Sequence, residues 1–230
     1  MVVQLTKRDL QVLRDLALSH VLSRDQLLAL GYFSTVTRVN TRLRELMGVG
    51  LVKRLETPFF TQSLYMASAS ATEVIGERIA PLLTSRSGSP RFLQHALSVT
   101  NARISLLGKG ASAWRFEQQL RATFAVGGKE LEVRPDGLAV IPNKGLLVVE
   151  VDLGHVNPAK FAEKLGAYDA FIATGECERA WGESTFRLLT LTTGSLRAKH
   201  LTRSLPSGST LIHDVLTFDQ FGVQAASNWS

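Results

Sequence analysis

Residues 35–54 read TVTRVNTRLRELMGVGLVKR, and this stretch decides how the N-terminal part of the chain folds. Val36, Val39, Leu43 and Leu46 recur on one face of a helix, while Thr37, Arg38, Thr41, Arg42 and Glu45 lie opposite with Arg44 at the flank. Gly48 and Gly50 end that helix. Leu51–Leu55 then reads as a strand, with a turn at Thr57-Pro58 and a partner strand at Leu64-Tyr65-Met66. Upstream, Thr6 with Asp9 three residues on marks a helix start, followed by Leu10, Leu13, Ala17 and Val21 at helical spacing. Ser23 before Asp25 and Gln26 repeats the signal for a short second helix that stops at Gly31.

Three helices and a hairpin give the order of a winged helix-turn-helix, whose natural ligand is double-stranded DNA. Thr37 and Thr41 are small enough to let the third helix approach a groove. Arg38, Arg42 and Arg44 then reach phosphates or guanine edges, and Lys53 and Arg54 on the wing meet the flanking backbone. Charge supports this reading. Of the formal net +6, residues 1–66 carry nine Lys/Arg against five Asp/Glu, a net +4, which leaves +2 for the remainder. The competing reading is a solvated helix face, the usual fate of surface charges.

A helix is expected from about Thr72 to Pro81, and Thr84–Pro90 has the composition of a linker. The expected division is therefore a DNA-binding domain at 1–83, a linker at 84–91 and a second domain at 92–230. That domain opens with a helix from Phe92 to Leu107, closed by Gly108, and a further helical stretch from Trp114 to Leu120. The period then changes to two. Thr123–Val126, Leu131–Ile141 and Leu146–Asp152, separated by turns at Gly127-Gly128 and 142–145, read as an antiparallel meander. Asn157-Pro158 opens a helix to about Ala173, followed by a strand at Phe186–Leu191, a helix at Ser195–Leu205 and a strand at Leu211–Phe218. The fold class is thus α/β (α+β), with an αβββαβ order like that of the restriction-endonuclease, or PD-(D/E)xK, fold.

Within that order Pro135-Asp136 falls in the second strand, and Glu150-Val151-Asp152 ends the third. If Ile141 and Gly145 close the turn, Asp136 sits opposite Glu150 on the face that Asp152 shares. Carboxylates so crowded repel, and something positive should be among them. A Mg²⁺ or Mn²⁺ ion held by Asp136 and Glu150, with Glu117 as an added ligand, would meet that need and activate a water for phosphodiester cleavage. The lysine such nucleases place two residues after the acid is here Asp152. Lys164, on one helical face with Tyr168, is the substitute, and Lys160 the reserve. The alternative is a structural network in which Arg134 or Arg115 pairs with the acids. His155 reads as a loop histidine, His95 as a packing residue, and Trp114 and Trp181 as core aromatics.

The single cysteine, Cys177, excludes an intramolecular disulfide and a cysteine-rich zinc site, and points to a reducing compartment. Without an apolar run of the roughly 20 residues that span a bilayer, and with a polar start at Met1–Asp9, a cytoplasmic protein with no membrane partner is expected.

Several segments together resemble the replication-relaxation family of plasmid and integrative-element proteins. They are Leu5–Asp9, Asp25-Gln26-Leu27, Arg42–Leu46, His95-Ala96-Leu97, Arg134–Gly137, Glu150–Gly154, Lys164–Tyr168 and Leu189–Thr192. The resemblance spans nearly the whole chain, and the acid-x-acid at Glu150 and Asp152 is in keeping with it. It implies a sequence-specific DNA-binding protein that assists replication or relaxation together with replication or relaxase proteins. Because winged helices commonly read two half-sites as dimers, a homodimer is expected. Two other functions fit the same residues: a transcriptional regulator whose C-terminal domain dimerises or clamps DNA, and an active metal-dependent endonuclease or nickase.

Overall fold

The computed structural model describes residues 4–76 and 89–226. The chain is a mixed helical and sheet structure in two compact units, one running to Ile104 and joined by the segment from Ala225, the other spanning Ser105–Gln224.

The first unit contains α1 (Lys7–Leu18), β1 (Leu22–Ser23), α2 (Arg24–Ala29), α3 (Val36–Gly48), β2 (Val52–Leu55), β3 (Leu64–Ala67), α4 (Ala69–Ile75) and the greater part of α5 (Pro90–Gly108). The expected helix starts are present: Thr6 and Ser23 form capping boxes with Asp9 and Gln26. β2 pairs antiparallel with β3, and β1 adds to the other edge of β3. Leu13 and Leu16 of α1, Leu27 of α2, and Val39, Leu43 and Leu46 of α3 are wholly buried in one core. Burial of each stabilises the unit by about 1.5–3 kcal/mol. Val36, expected in the same stripe, is instead 43% exposed, because it stands at the first turn of α3 beyond the edge of that core.

The helix expected over 72–81 begins earlier, capped by Ser68, and reaches a left-handed Gly76; residues 77–81 lie outside the described residues. Of the expected linker at 84–91 only 89–91 are described, and Pro90 and Arg91 already belong to α5. That helix was expected wholly within the second domain. Its N-terminal part packs in the first unit instead, with Leu93, Ala96 and Leu97 joining Val21, Phe60 and Leu64. Two polar ties reinforce the packing: Gln26 donates to the Leu97 carbonyl at 2.9 Å, and Arg103 pairs with Asp15 at 2.7 Å. Helical periodicity announces an apolar face but not what that face meets.

The second unit runs β4 (Ala113–Phe116), α6 (Glu117–Leu120), β5 (Ala122–Val126), β6 (Lys129–Val133), β7 (Gly137–Ile141), β8 (Gly145–Asp152), α7 (Pro158–Ala173), α8 (Glu176–Trp181), β9 (Arg187–Thr192), α9 (Ser195–Thr202), β10 (Ile212–Thr217) and α10 (Phe218–Phe221). Its main sheet has the order β10-β9-β8-β7-β4, with β8, β9 and β10 parallel and β7 and β4 antiparallel to their neighbours. The helices after β8 and β9 make the long connections that parallel neighbours require. α7 lays Phe161, Leu165, Tyr168 and Phe171 into a core shared with Val148 and Leu188.

Two expectations are corrected here. The stretch 131–141 is not one strand: it divides into β6 and β7, and β5 and β6 form a separate two-stranded sheet. Pro135 lacks the N–H a continuous ladder would use, and the break falls at 134–136. Asp136 therefore lies just before a strand rather than within one. Likewise Trp114–Phe116 is not helical but forms β4, paired with β7. Gly137 makes room for that pairing, since a Cβ there would stand 1.9 Å from the indole of Trp114. Gly137→Ala is expected to displace Trp114 and destabilise the unit by about 1–3 kcal/mol, measured by urea unfolding; an unchanged midpoint would show that the indole moves aside freely.

No helix among the described residues is long and apolar enough to cross a membrane.

Candidate functional site

α3 is held from beneath by Val39, Leu43 and Leu46, so its other side faces outward. Thr37, Arg38, Thr41 and Arg44 are exposed there, as are Lys53 and Arg54 on β2. Arg38 donates to the Ser34 hydroxyl at 3.1 Å, and Arg54 stands 3.6 Å from Glu56.

Arg42 differs from its neighbours. Its guanidinium grips both oxygens of Asp9, at 2.8 and 2.6 Å, and also reaches the Gln4 carbonyl at 2.9 Å and Glu45 at 2.5 Å. Only 16% of its side chain is exposed, and Asp9 is wholly buried. Burial alone would raise the Asp9 pKa, but hydrogen bonds from Arg42 and Thr6 outweigh it and hold the group at about 2. Because that value lies below the unfolded one, the stabilisation is complete above about pH 4 and is lost as pH falls through about 2. Arg42 thus fastens α3 to the start of α1. The sequence showed Asp9 as a capping residue but gave no sign of this second role, since its partner lies 33 residues away.

The acids of the second unit gather at the C-terminal end of β8. The β7–β8 turn closes at Ile141 and Gly145, and the ladder ends with Gly137 opposite Val149. One further step of that register sets Asp136 across from Glu150. Asp136 Oδ2 accepts from the Val151 N–H at 2.7 Å. Glu150, 5% exposed, accepts from Lys164 Nζ at 2.5 Å through one oxygen and from the Tyr168 hydroxyl through the other. Asp152, 3% exposed, is forked by Arg197 at 2.7 and 3.1 Å and accepts from Thr192 at 3.1 Å. Glu117 pairs with Arg134, while Arg115 donates to the Trp181 carbonyl at 3.4 Å. Lys160 and His155 are exposed nearby in the sequence.

Burial lifts Glu150 to about 7, with Asp136 adding to the rise and Lys164 and Tyr168 opposing it. A carboxyl raised above its unfolded value favours the fold most below about pH 4.5, and this contribution is lost as pH rises through about 7. Burial also moves His213, which shares a 2.9 Å hydrogen bond with Thr190 beside Glu150, down to about 4.

The positive charge that crowded carboxylates call for is supplied by Lys164, Arg197 and Arg134. A hard divalent cation needs carboxylate oxygens turned toward it, whereas both oxygens of Glu150 already serve protein donors and Glu117 is engaged by Arg134. No group of three or more His, Cys, Asp or Glu is placed to hold a metal ion among the described residues. The expected set of Glu117, Asp136 and Glu150 does not fit Mg²⁺ or Mn²⁺ in this arrangement. Lys164 and Tyr168 do come together with Glu150, as their spacing of four suggests. Arg197 was missed. Its only signal was an Asp at the usual lysine position, and its place beside Asp152 depends on β9 lying parallel to β8.

No curated protein and no solved structure matches the chain. A family model described as replication-relaxation matches residues 13–185, taking in α3, the hairpin of β2 and β3, and the cluster from Glu117 to Tyr168. With that match spanning well over half of its 230 residues, the chain belongs to the replication-relaxation family.

Proposed function

We propose that the protein binds specific double-stranded DNA on a plasmid or other mobile element and assists its replication or relaxation. In this reading the first unit is a winged helix-turn-helix. α3 enters the major groove with Thr37, Thr41 and Arg44 along its outer line and Arg38 beside them, and Lys53 and Arg54 on the wing touch the flanking phosphates. The observation that carries it is the exposed row on α3, backed by a buried aliphatic row that fixes its direction. As a homodimer it would address two half-sites about 34–36 Å apart.

A mobility shift on duplexes selected from a random pool tests the proposal. Arg44→Ala is expected to lower affinity by about 1–3 kcal/mol, roughly 5- to 150-fold, with relaxed specificity at one position if the contact is to a base. Selection that yields no preferred duplex, or undiminished binding by Arg44→Ala, would count against α3 as the reader.

For the second unit, a nuclease-like fold that grips DNA without cutting it is the favoured reading, because each of Glu117, Glu150 and Asp152 is neutralised by a cation of the chain. Supercoiled plasmid incubated with the protein and Mg²⁺ or Mn²⁺ should remain intact. Nicking that disappears in Asp136→Asn would instead establish an endonuclease.

A further inference from the structure

The main sheet of the second unit has two faces. α7 covers the one that carries Val148, Glu150 and Leu188. Side chains alternate along a strand, so Leu147, Leu189 and Leu216 emerge on the other face. There, with Ile141, they floor an open trough of about 350 Å³. Lys109, Lys144 and Arg187 stand around it against a single acid, Asp214, which Arg187 already holds at 2.7 Å. The trough therefore keeps two cations in excess. Lys144 is exposed at the tip of the β7–β8 turn, and Lys109 spends one donor on the Phe221 carbonyl at 2.5 Å, leaving others for a partner.

An aliphatic floor rimmed by cations recognises a particular chemistry. Leu189 is already buried, but Leu147 and Leu216 are half-buried. Bare phosphates would satisfy the lysines but leave those two leucines partly in water, whereas apolar anchors flanked by carboxylates satisfy both. The volume lies near the lower end of ligand-sized clefts, about 300–1,000 Å³, and the open form suits the side chains of a passing segment rather than an enclosed small molecule. We infer that this trough docks an acidic, leucine-bearing segment of a partner protein, with leucines on the floor and carboxylates at Lys144 and Lys109. The site uses neither α3 nor the carboxylate cluster, so it stands or falls independently of the DNA-binding proposal.

Fluorescence polarisation of the full chain with labelled synthetic peptides tests it. The probes are a leucine–glutamate peptide, its leucine–lysine counterpart and its serine–glutamate counterpart. The leucine–glutamate peptide should bind about tenfold more tightly than either, a difference of about 1.4 kcal/mol. Lys144→Glu should weaken that binding about tenfold, and Leu147→Asp should abolish it. Lys144 lies on an exposed turn, so its variant remains informative even if Leu147→Asp does not fold. Equal binding of the three peptides, no binding of any, indifference to Lys144→Glu, or displacement of the peptide by duplex DNA would each overturn the inference.

Discussion

Arg42→Ala is expected to destabilise the first unit by about 3 kcal/mol at neutral pH, the scale on which breaking a buried ion pair leaves a charge uncompensated. Asp9 would keep its bonds to Thr6 but lose two charged hydrogen bonds in a position closed to water. The bonds to Glu45 and to the Gln4 carbonyl are exposed, and their loss adds little. The penalty should shrink as pH falls below about 4 toward the folded Asp9 pKa of about 2, where the pair contributes less. Arg42→Lys should recover only part of the loss, since an ammonium cannot fork both oxygens. Thermal unfolding across pH checks the effect. DNA affinity separates the two roles an arginine on α3 can play: at temperatures where Arg42→Ala is folded, its affinity should stay within about threefold of the parent, unlike that of Arg44→Ala. An unchanged melting temperature together with a large loss of DNA binding would reverse the assignment.

Lys164→Met is the second large effect, and its size should follow pH. Burial raises the Glu150 pKa to about 7, so the attraction it offers Lys164 should be smaller at pH 5 than at pH 9. Above that pKa the cost of removing the lysine should grow by about 1.4 kcal/mol per pH unit, reaching roughly 3 kcal/mol at pH 9. Methionine retains much of the aliphatic stem, which keeps packing loss from dominating. Urea unfolding of both proteins at pH 5, 7 and 9 measures the divergence. Parallel curves would mean that Glu150 does not depend on Lys164 for its charge.

Local signals were the legible ones. Thr6, Ser23 and Asn157 announced their helices because a cap acts on residues within one turn. Gly127-Gly128, with φ of 56° and 79°, dictated its two-residue hairpin, and the Ile141–Gly145 closure, the condition for setting Asp136 across from Glu150, is present. What escaped depended on distant chain. Arg42 looked like any outward arginine until Asp9 was seen to be buried beneath it, and nothing near Asp152 named Arg197 as its partner. Pro135 could have warned that 131–141 would not run as one strand, because its missing N–H is a local fact. The greater part of α5 could not have been assigned to its unit, since an amphipathic stripe fits any apolar surface of matching size.

β9 lies between β8 and β10, yet 34 residues separate the end of β8 at Asp152 from its start at Arg187. During synthesis, β8 leaves the ribosome with one edge unclaimed and Asp152 without its guanidinium. Such an edge invites pairing with other chains. The nascent protein therefore carries an open edge at β8 until that central strand arrives, and slow translation just ahead of residue 187 would lengthen that interval.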